Sequence, residues 1–116
     1  MQHITESQLK AEIKAIISLL VEENYRAIQV QNILPYGNIF VLIERIQQYP
    51  GHITMPPDRA FDDLEFIEFE VTEDNFFFQA ELNLWFDNQE SDLTASFLPS
   101  TDQAKSLICL YDLHVL

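Results

Sequence analysis

The strongest constraint on the fold is the run of residues 76–86, in which two kinds of side chain alternate without interruption. Successive side chains of a β-strand point to opposite faces of the sheet. The even positions are all apolar, whereas the odd positions are mostly polar and end at Trp85. This pattern predicts a long strand of an antiparallel sheet, with one face packed on a core and the other face partly solvated.

Further strands are predicted on either side of this run. Residues 64–71 also alternate, but their apolar side chains lie at even positions up to Phe66 and at odd positions from Ile67. Such a change of face predicts a β-bulge or a bend at these two residues. Residues 92–97 alternate as a third strand, and residues 106–115, apolar on both faces, predict a last strand that is central or covered. Turns are expected at residues 72–75 and 87–90, and a loop at residues 99–104.

The chain before residue 50 has the spacing of helices instead. Thr5 and Gln8 form a capping-box pattern, and the apolar residues from Leu9 to Leu20 then recur at helical intervals, so a first helix is expected to end near Glu23. Residues 25–34 are compatible with a second, short helix. Asn38 is a suitable N-cap for the next helix, which Pro50-Gly51 ends, and Pro56-Pro57 predicts an extended stretch.

Together these elements predict one α+β domain over residues 1–116, with two to three N-terminal helices packed on a curved antiparallel sheet of about four strands. This order of elements resembles that of the cystatin-like and nuclear-transport-factor-2-like folds. A bulge in the first long strand would suit a curved sheet. The resemblance concerns the fold and implies no activity by itself.

The charge of the chain narrows the classes of partner. With 19 acidic and 6 basic residues the net charge is −13, which argues against binding to nucleic acid or to an anionic membrane surface. One cysteine allows no internal disulfide and fits a reducing compartment. The N-terminus lacks the layout of a signal peptide and no apolar run is long enough for a membrane helix, so a cytoplasmic protein is expected.

The acidic residues are concentrated in one part of the chain. Residues 58–92 hold twelve of the 19 acidic residues, with Arg59 as the only basic one. We predict that a surface formed from this segment binds a basic partner, and the alternative is that the charge serves solubility or protects a sheet edge from pairing. Trp85 is the predicted aromatic anchor, the alternative being that earlier chain or a partner subunit covers it. The predicted partner-binding residues are Glu65, Glu68, Glu70, Glu81, Trp85, Asp87, Glu90 and Asp92.

No catalytic motif is present, so neither enzymatic activity nor a metal or other cofactor is expected. The three histidines lie outside metal-ligand spacing, and two glycines are too few for a phosphate-binding loop. Cys109 is predicted to be a buried thiol that shares a strand face with Leu113. Asp112 and His114 are predicted on the other face as a polar pair, with Asp92 or Thr94 as candidate partners across the sheet. A structural role is favoured over acid/base chemistry.

Several short segments resemble a family of small bacterial proteins of unknown function. These are residues 55–62 (MPPDRAFD), Leu84-Trp85, residues 91–94 (SDLT) and the C-terminal residues 112–116 (DLHVL). The resemblance covers roughly residues 50–116, and the chain departs from it after Phe86, where a glycine is missing. It implies a bacterial origin and a single domain but assigns no activity.

The function predicted from these features is that of an acidic protein-binding module. Its sharpest form is an immunity protein that neutralises a basic, nuclease-type toxin by masking the active site. One alternative is a small-molecule binder with a pocket between helices and sheet, to which Tyr25, Tyr36, Tyr111 and Asp112 contribute. The other is a homodimer formed through the face that carries Trp85.

Overall fold

The computed structural model describes residues 4–71, 76–100 and 107–115, and these form helices packed on an antiparallel sheet. The predicted α+β class is confirmed. The predicted turn at residues 72–75 and most of the loop at residues 99–104 lie outside the described residues. In chain order the elements are α1 (Glu6–Val21), α2 (Tyr25–Val30), α3 (Ile39–Gln48), β1 (Ile53–Thr54), α4 (Asp58–Asp62), β2 (Phe66–Val71), β3 (Phe76–Phe86), β4 (Gln89–Pro99) and β5 (Ile108–Val115).

The predicted helix starts are confirmed by their side-chain caps. At α1 the hydroxyl of Thr5 accepts a hydrogen bond from the Gln8 backbone N–H at 3.2 Å, and the Gln8 side chain accepts one from the Thr5 N–H at 2.8 Å. At α3 the Asn38 side chain accepts from the Phe40 N–H at 2.8 Å. Each cap satisfies a backbone donor that has no partner within the helix.

Two strands share one edge of β3, and they leave a gap between them. The sheet order is β1-β3-β4-β5, and β2 also pairs with β3. β4 lies along one edge of β3, so β1 and β2 lie along the other, where β2 pairs with residues 76–80 and β1 pairs with residues 85–86. Among the described residues, Glu81–Leu84 therefore have no strand partner at that edge. The chain between β1 and β2, including α4, passes beside this gap.

The core lies between the helices and the even-numbered face of β3. The buried stripe of α1 contains Leu9, Ile13, Ile16, Ile17 and Leu20. The facing residues of β3 are equally buried, namely Phe78, Ala80, Leu82, Leu84 and Phe86. The odd-numbered face of β3 is half-buried and faces away from this core, and it is called the outer face below.

The irregularities of the first two hairpins follow from the sequence. The pairing of β2 with β3 shifts between Phe66 and Glu68, so Ile67 is the bulged residue and the predicted bulge is confirmed. The turn after β3 is shorter than predicted, because Gln89 and Glu90 already belong to β4. Asp87 and Asn88 have φ values of 50° and 62°. Asp and Asn tolerate this left-handed conformation, so the turn needs no glycine.

A bulge in β5 makes the predicted face of Cys109 wrong. The pairing of β4 with β5 shifts between Ser96 and Phe97, so Tyr111 is an extra residue between the pairs Phe97–Leu110 and Ser96–Asp112. An extra residue reverses the alternation. Cys109 pairs with Leu98 and thus lies on the outer face with Asp112 and His114, whereas Leu113 faces the core. The thiol is buried, as predicted.

Candidate functional site

A groove of about 660 Å³ opens on the outer face where the gap beside β3 meets the chain around α4. Its floor is formed by β3 and β4 and its wall by residues 59–67. The lining is mixed in character, with one indole ring and several carboxylates. The lining residues used below are Arg59, Asp63, Glu65, Glu81, Asn83, Trp85, Glu90 and Thr94.

The short helix α4 is attached to α1 on one side and faces the groove on the other. Lys14 Nζ lies 3.1 Å from Asp58 Oδ1, and Lys10 Nζ donates to the Asp62 carbonyl at 2.9 Å. Phe61 is buried in the core between these contacts. A helix of five residues would not be stable in isolation, so these tertiary contacts hold it in place. Arg59 is thereby presented to the groove.

Arg59 lies over the indole ring of Trp85. The guanidinium carbon is 5.9 Å from the ring centroid, which is within cation–π range. Four carboxylates line the same groove, yet Arg59 forms no ion pair with any described residue. Trp85 is only half-buried by this contact. Chain before residue 62 thus covers part of the ring, and the rest remains open to the groove.

Glu90 is held by a relay of hydrogen bonds that begins at a buried hydroxyl. Thr94, whose exposed fraction is 1%, donates from Oγ1 to Asn83 Oδ1 at 2.8 Å. The amide oxygen is then occupied, and the amide nitrogen of Asn83 donates to Glu90 Oε2 at 2.9 Å. Thr94 of β4 pairs directly with Asn83 of β3, and Glu90 of β4 pairs with Trp85, two residues further along β3. The relay therefore fixes one carboxylate oxygen of Glu90 at the groove.

Glu81 is held from the other side by β4 and β5. Ser96 Oγ donates to Glu81 Oε2 at 3.5 Å, and His114 Nε2 lies 3.3 Å from the same oxygen. The predicted pair is present, with His114 Nδ1 at 3.5 Å from Asp112 Oδ2, and Thr94 is in register with His114. Nδ1 is buried, and at this ion-pair distance it lacks the alignment of a hydrogen bond.

Asp112 is in turn paired with α3. Arg45 Nη1 lies 3.0 Å from Asp112 Oδ1, and the same guanidinium donates to the Leu113 carbonyl of β5. The ion pair is about half-exposed on both sides, so its own contribution to stability is small. Its role is to fasten α3 to β5 and to orient the carboxylate beside His114.

The structure divides the eight residues predicted to bind a partner. Glu65, Glu81, Trp85 and Glu90 line the groove together. Glu68 and Glu70 are exposed on β2 and pair with Gln79 and Phe77 of the outer face, outside the groove lining.

The last two predicted residues have local partners instead. Asp87 accepts from the His52 N–H at 3.0 Å, and Asp92 accepts from the Tyr49 hydroxyl. Both carboxylates therefore fasten the turn and β4 to the chain before β1. The sequence analysis named Thr94 only as a partner for Asp112 and His114, and it did not assign Arg59 or Asn83 to the site. The polar outer-face position of Asn83 on β3 was a signal for that residue.

The residues named for a small-molecule pocket are only partly brought together. Tyr36, Tyr111 and Asp112 line a cavity of about 230 Å³ beside α3, and the two rings meet edge to face with centroids 5.8 Å apart. Tyr25 does not line it and packs instead against the core, where burial and the nearby Glu23 raise its pKa. The cavity is smaller than the usual ligand pocket of about 300–1,000 Å³.

The structure also places the side chains that metal binding or thiol chemistry would use. In residues 4–71, 76–100 and 107–115 no group of three or more His, Cys, Asp or Glu side chains could hold a metal ion. The Cys109 thiol is buried, which raises its pKa, and its sulfur contacts the Pro99 carbonyl at 3.5 Å. The thiol is therefore kept neutral and away from solvent.

These features define an α+β protein with an acidic, aromatic groove on the outer face of its sheet. No helix within the described residues is long and apolar enough to cross a membrane. A family model, the domain of unknown function DUF7668, matches residues 17–116, and the chain belongs to this family. The match is consistent with the expected membership of a family of unknown function, and it includes part of α1 as well as residues 50–116. No curated protein and no solved structure matches the chain.

Proposed function

We propose that this protein is an acidic protein-binding module whose groove docks a basic partner protein. The observation that carries the proposal is that side chains from neighbouring strands hold Glu81 and Glu90 in the groove that Trp85 also lines. Two of these supports, Thr94 and Ser96, are buried, with exposed fractions of 1% and 7%.

Carboxylates that only keep a protein soluble need no such support. A buried hydroxyl costs free energy unless it is hydrogen-bonded, and the Thr94 hydroxyl avoids this cost by donating to Asn83. The same bond orients the Asn83 amide toward Glu90. A carboxylate fixed before binding loses less side-chain entropy when a partner arrives. The half-buried ring of Trp85 adds the kind of aromatic anchor that is enriched in binding sites.

The overall charge supports a basic partner in particular. A net charge of −13 attracts a positively charged protein over long distances and speeds the encounter at low salt. The same charge disfavours a homodimer formed by apposing two copies of the groove. The specific form that we propose is an immunity protein of bacterial origin, which neutralises a nuclease-type toxin by covering its basic, phosphate-binding active site.

A pull-down from a lysate of the source organism tests the proposal at low and at moderate salt. The tagged wild-type chain is compared with Glu81→Gln/Glu90→Gln and with the control Glu22→Gln/Glu44→Gln. The control removes the same charge from the helical side of the protein. We expect one basic partner at a near one-to-one ratio with the wild type and the control, less at moderate salt, and at least about tenfold less with the groove variant.

The partner is then assayed as an enzyme. Stoichiometric inhibition of its nucleic-acid cleavage by the wild type, and not by the groove variant, would support the immunity form. A partner that the groove variant captures as well as the control would place docking elsewhere on the surface. Absence of any partner at both salt concentrations would refute the binding-module function.

A further inference from the structure

The groove already holds a cation that belongs to this chain. The guanidinium of Arg59 lies 5.9 Å from the centroid of the Trp85 ring. Arg59 is exposed, and it is the one basic residue among those that line the groove within the described chain. Its position shows which chemical group the groove accommodates.

The Trp85 ring and the Glu90 carboxylate are neighbours, so a second guanidinium could stack on the ring and donate to the carboxylate. Trp85 pairs with Glu90 across the β3–β4 ladder, and Glu81 lies on the same face of β3. One oxygen of Glu90 is engaged by Asn83, and one oxygen of Glu81 is engaged by Ser96 and His114. Each of these contacts orients a carboxylate and leaves its second oxygen without a partner among the described side chains.

We propose that the groove recognises an arginine of the basic partner, whose guanidinium stacks on Trp85 and donates to Glu90, while Glu81 adds its negative charge to the same groove. Arg59 is the internal occupant of this site, and it moves aside when the partner binds. This inference rests on the proposed function and specifies how the same groove selects its partner.

The chemistry favours arginine over lysine. A guanidinium is planar, stacks on an aromatic face and presents five donors in a fixed arrangement, whereas an ammonium is a compact and strongly hydrated charge. Arginine can therefore combine planar stacking on the ring with donation to the neighbouring carboxylate. Lysine would gain the charge interaction without the stacking.

The internal occupant has a measurable consequence. A site that is open for only part of the time binds with an apparent affinity reduced by the open fraction. Removing the Arg59 guanidinium should therefore strengthen the binding of an arginine ligand, although the variant also makes the protein more acidic. Arg59→Lys separates the two effects because it keeps the charge and removes the planar group.

The test uses two capped peptides of equal charge, tetra-arginine and tetra-lysine, titrated at low salt. Trp85 is the only tryptophan of the chain, so its fluorescence reports directly on the groove. For the wild type we expect tetra-arginine to bind at least about threefold more tightly than tetra-lysine. Arg59→Gln should tighten tetra-arginine binding by about two- to tenfold and Arg59→Lys by less, while Glu81→Gln/Glu90→Gln should weaken both peptides.

Two results would overturn the inference. One is equal affinity of the two peptides for the wild type. The other is that Arg59→Gln does not tighten tetra-arginine binding, either because the affinity is unchanged or weaker or because no binding is detected for the wild type or the variant. Circular dichroism of each variant checks that the fold is retained. If neutralising Glu81 and Glu90 abolishes partner capture but the two peptides bind with equal affinity, the docking function stands and only the arginine preference is refuted.

Discussion

Substitution of Thr94 by valine tests whether the outer-face relay exists and whether it holds Glu90. The two side chains have nearly the same shape, so the change removes one hydroxyl and little else. Thr94 is 1% exposed and donates to Asn83 Oδ1 at 2.8 Å. After the substitution, the Asn83 amide oxygen loses the donor that it has among the described side chains, and the amide is free to turn away from Glu90.

The expected cost follows from these contacts. A net hydrogen bond contributes about 0.5–1.5 kcal/mol, and leaving a buried acceptor without a partner costs about 1–3 kcal/mol. Asn83 is only half-buried, so water satisfies part of its lost bond and the lower end of that range applies. Valine adds a buried methyl group and suits a strand, which returns up to about 0.8 kcal/mol. We expect Thr94→Val to lower the free energy of unfolding by about 1 kcal/mol.

Urea denaturation followed by circular dichroism measures this change, and a double-mutant cycle isolates its cause. Thr94→Val, Asn83→Ala and the double variant should give a coupling energy of about 0.5–1.5 kcal/mol, because either single change breaks the same bond. Thr54→Val is the control, since its hydroxyl accepts from the Asn88 N–H in the turn after β3 and makes no hydrogen bond with Asn83 or Glu90 among the described residues. Its coupling to Asn83→Ala should be close to zero.

A stabilising Thr94→Val, or a coupling energy indistinguishable from that of the control, would refute the relay. Glu90 would then be a freely solvated carboxylate. The main support for a preorganised docking groove would be lost with it.

Two further predictions concern regions away from the groove. Gly51 has a φ of 90°, and a Cβ there would overlap the Asp87 carboxylate, which accepts a hydrogen bond from the His52 N–H. We therefore expect Gly51→Ala to lower the free energy of unfolding, measured by urea denaturation, by about 1–3 kcal/mol. Gly37→Ala, where the Cβ meets only the Leu34 side chain, should cost less, and equal costs would contradict this reasoning. Burial raises the pKa of the Cys109 thiol, so iodoacetamide should alkylate it slowly at mildly alkaline pH until urea unfolds the chain. Because the folded state favours the neutral thiol, the stability that this preference contributes is full below the ordinary thiol pKa and is lost as the pH rises through the raised pKa of the folded state. Rapid alkylation of the folded protein would contradict this prediction, because it would show that the thiol is accessible.

Local patterns in the sequence determined the elements and several of their details. Caps such as Thr5 and Asn38 act within one helical turn. The alternation of residues 76–86 predicts the long strand directly. The bulge at Ile67 could be predicted because the apolar side chains of that strand visibly change face. Each of these signals depends on residues that are close together along the chain.

Features without a local signal were decided by the tertiary structure. The bulge at Tyr111 was not predictable because residues 108–111 are all apolar, so an extra residue there leaves no trace in the pattern. Helix α4 is too short for its own propensity to specify it, and contacts with Lys10 and Lys14 of α1 hold it.

The site shows the same division. Composition identified the segment that carries the acidic residues. Only the pairing of strands decides that Glu81 and Glu90 both line the groove. Asp87 and Asp92 instead form hydrogen bonds with the chain before β1. Cross-strand register, and the gap that β1 and β2 leave beside β3, join residues that are distant in sequence. Periodicity is a local property of the chain, whereas register is set by the packing of the whole sheet.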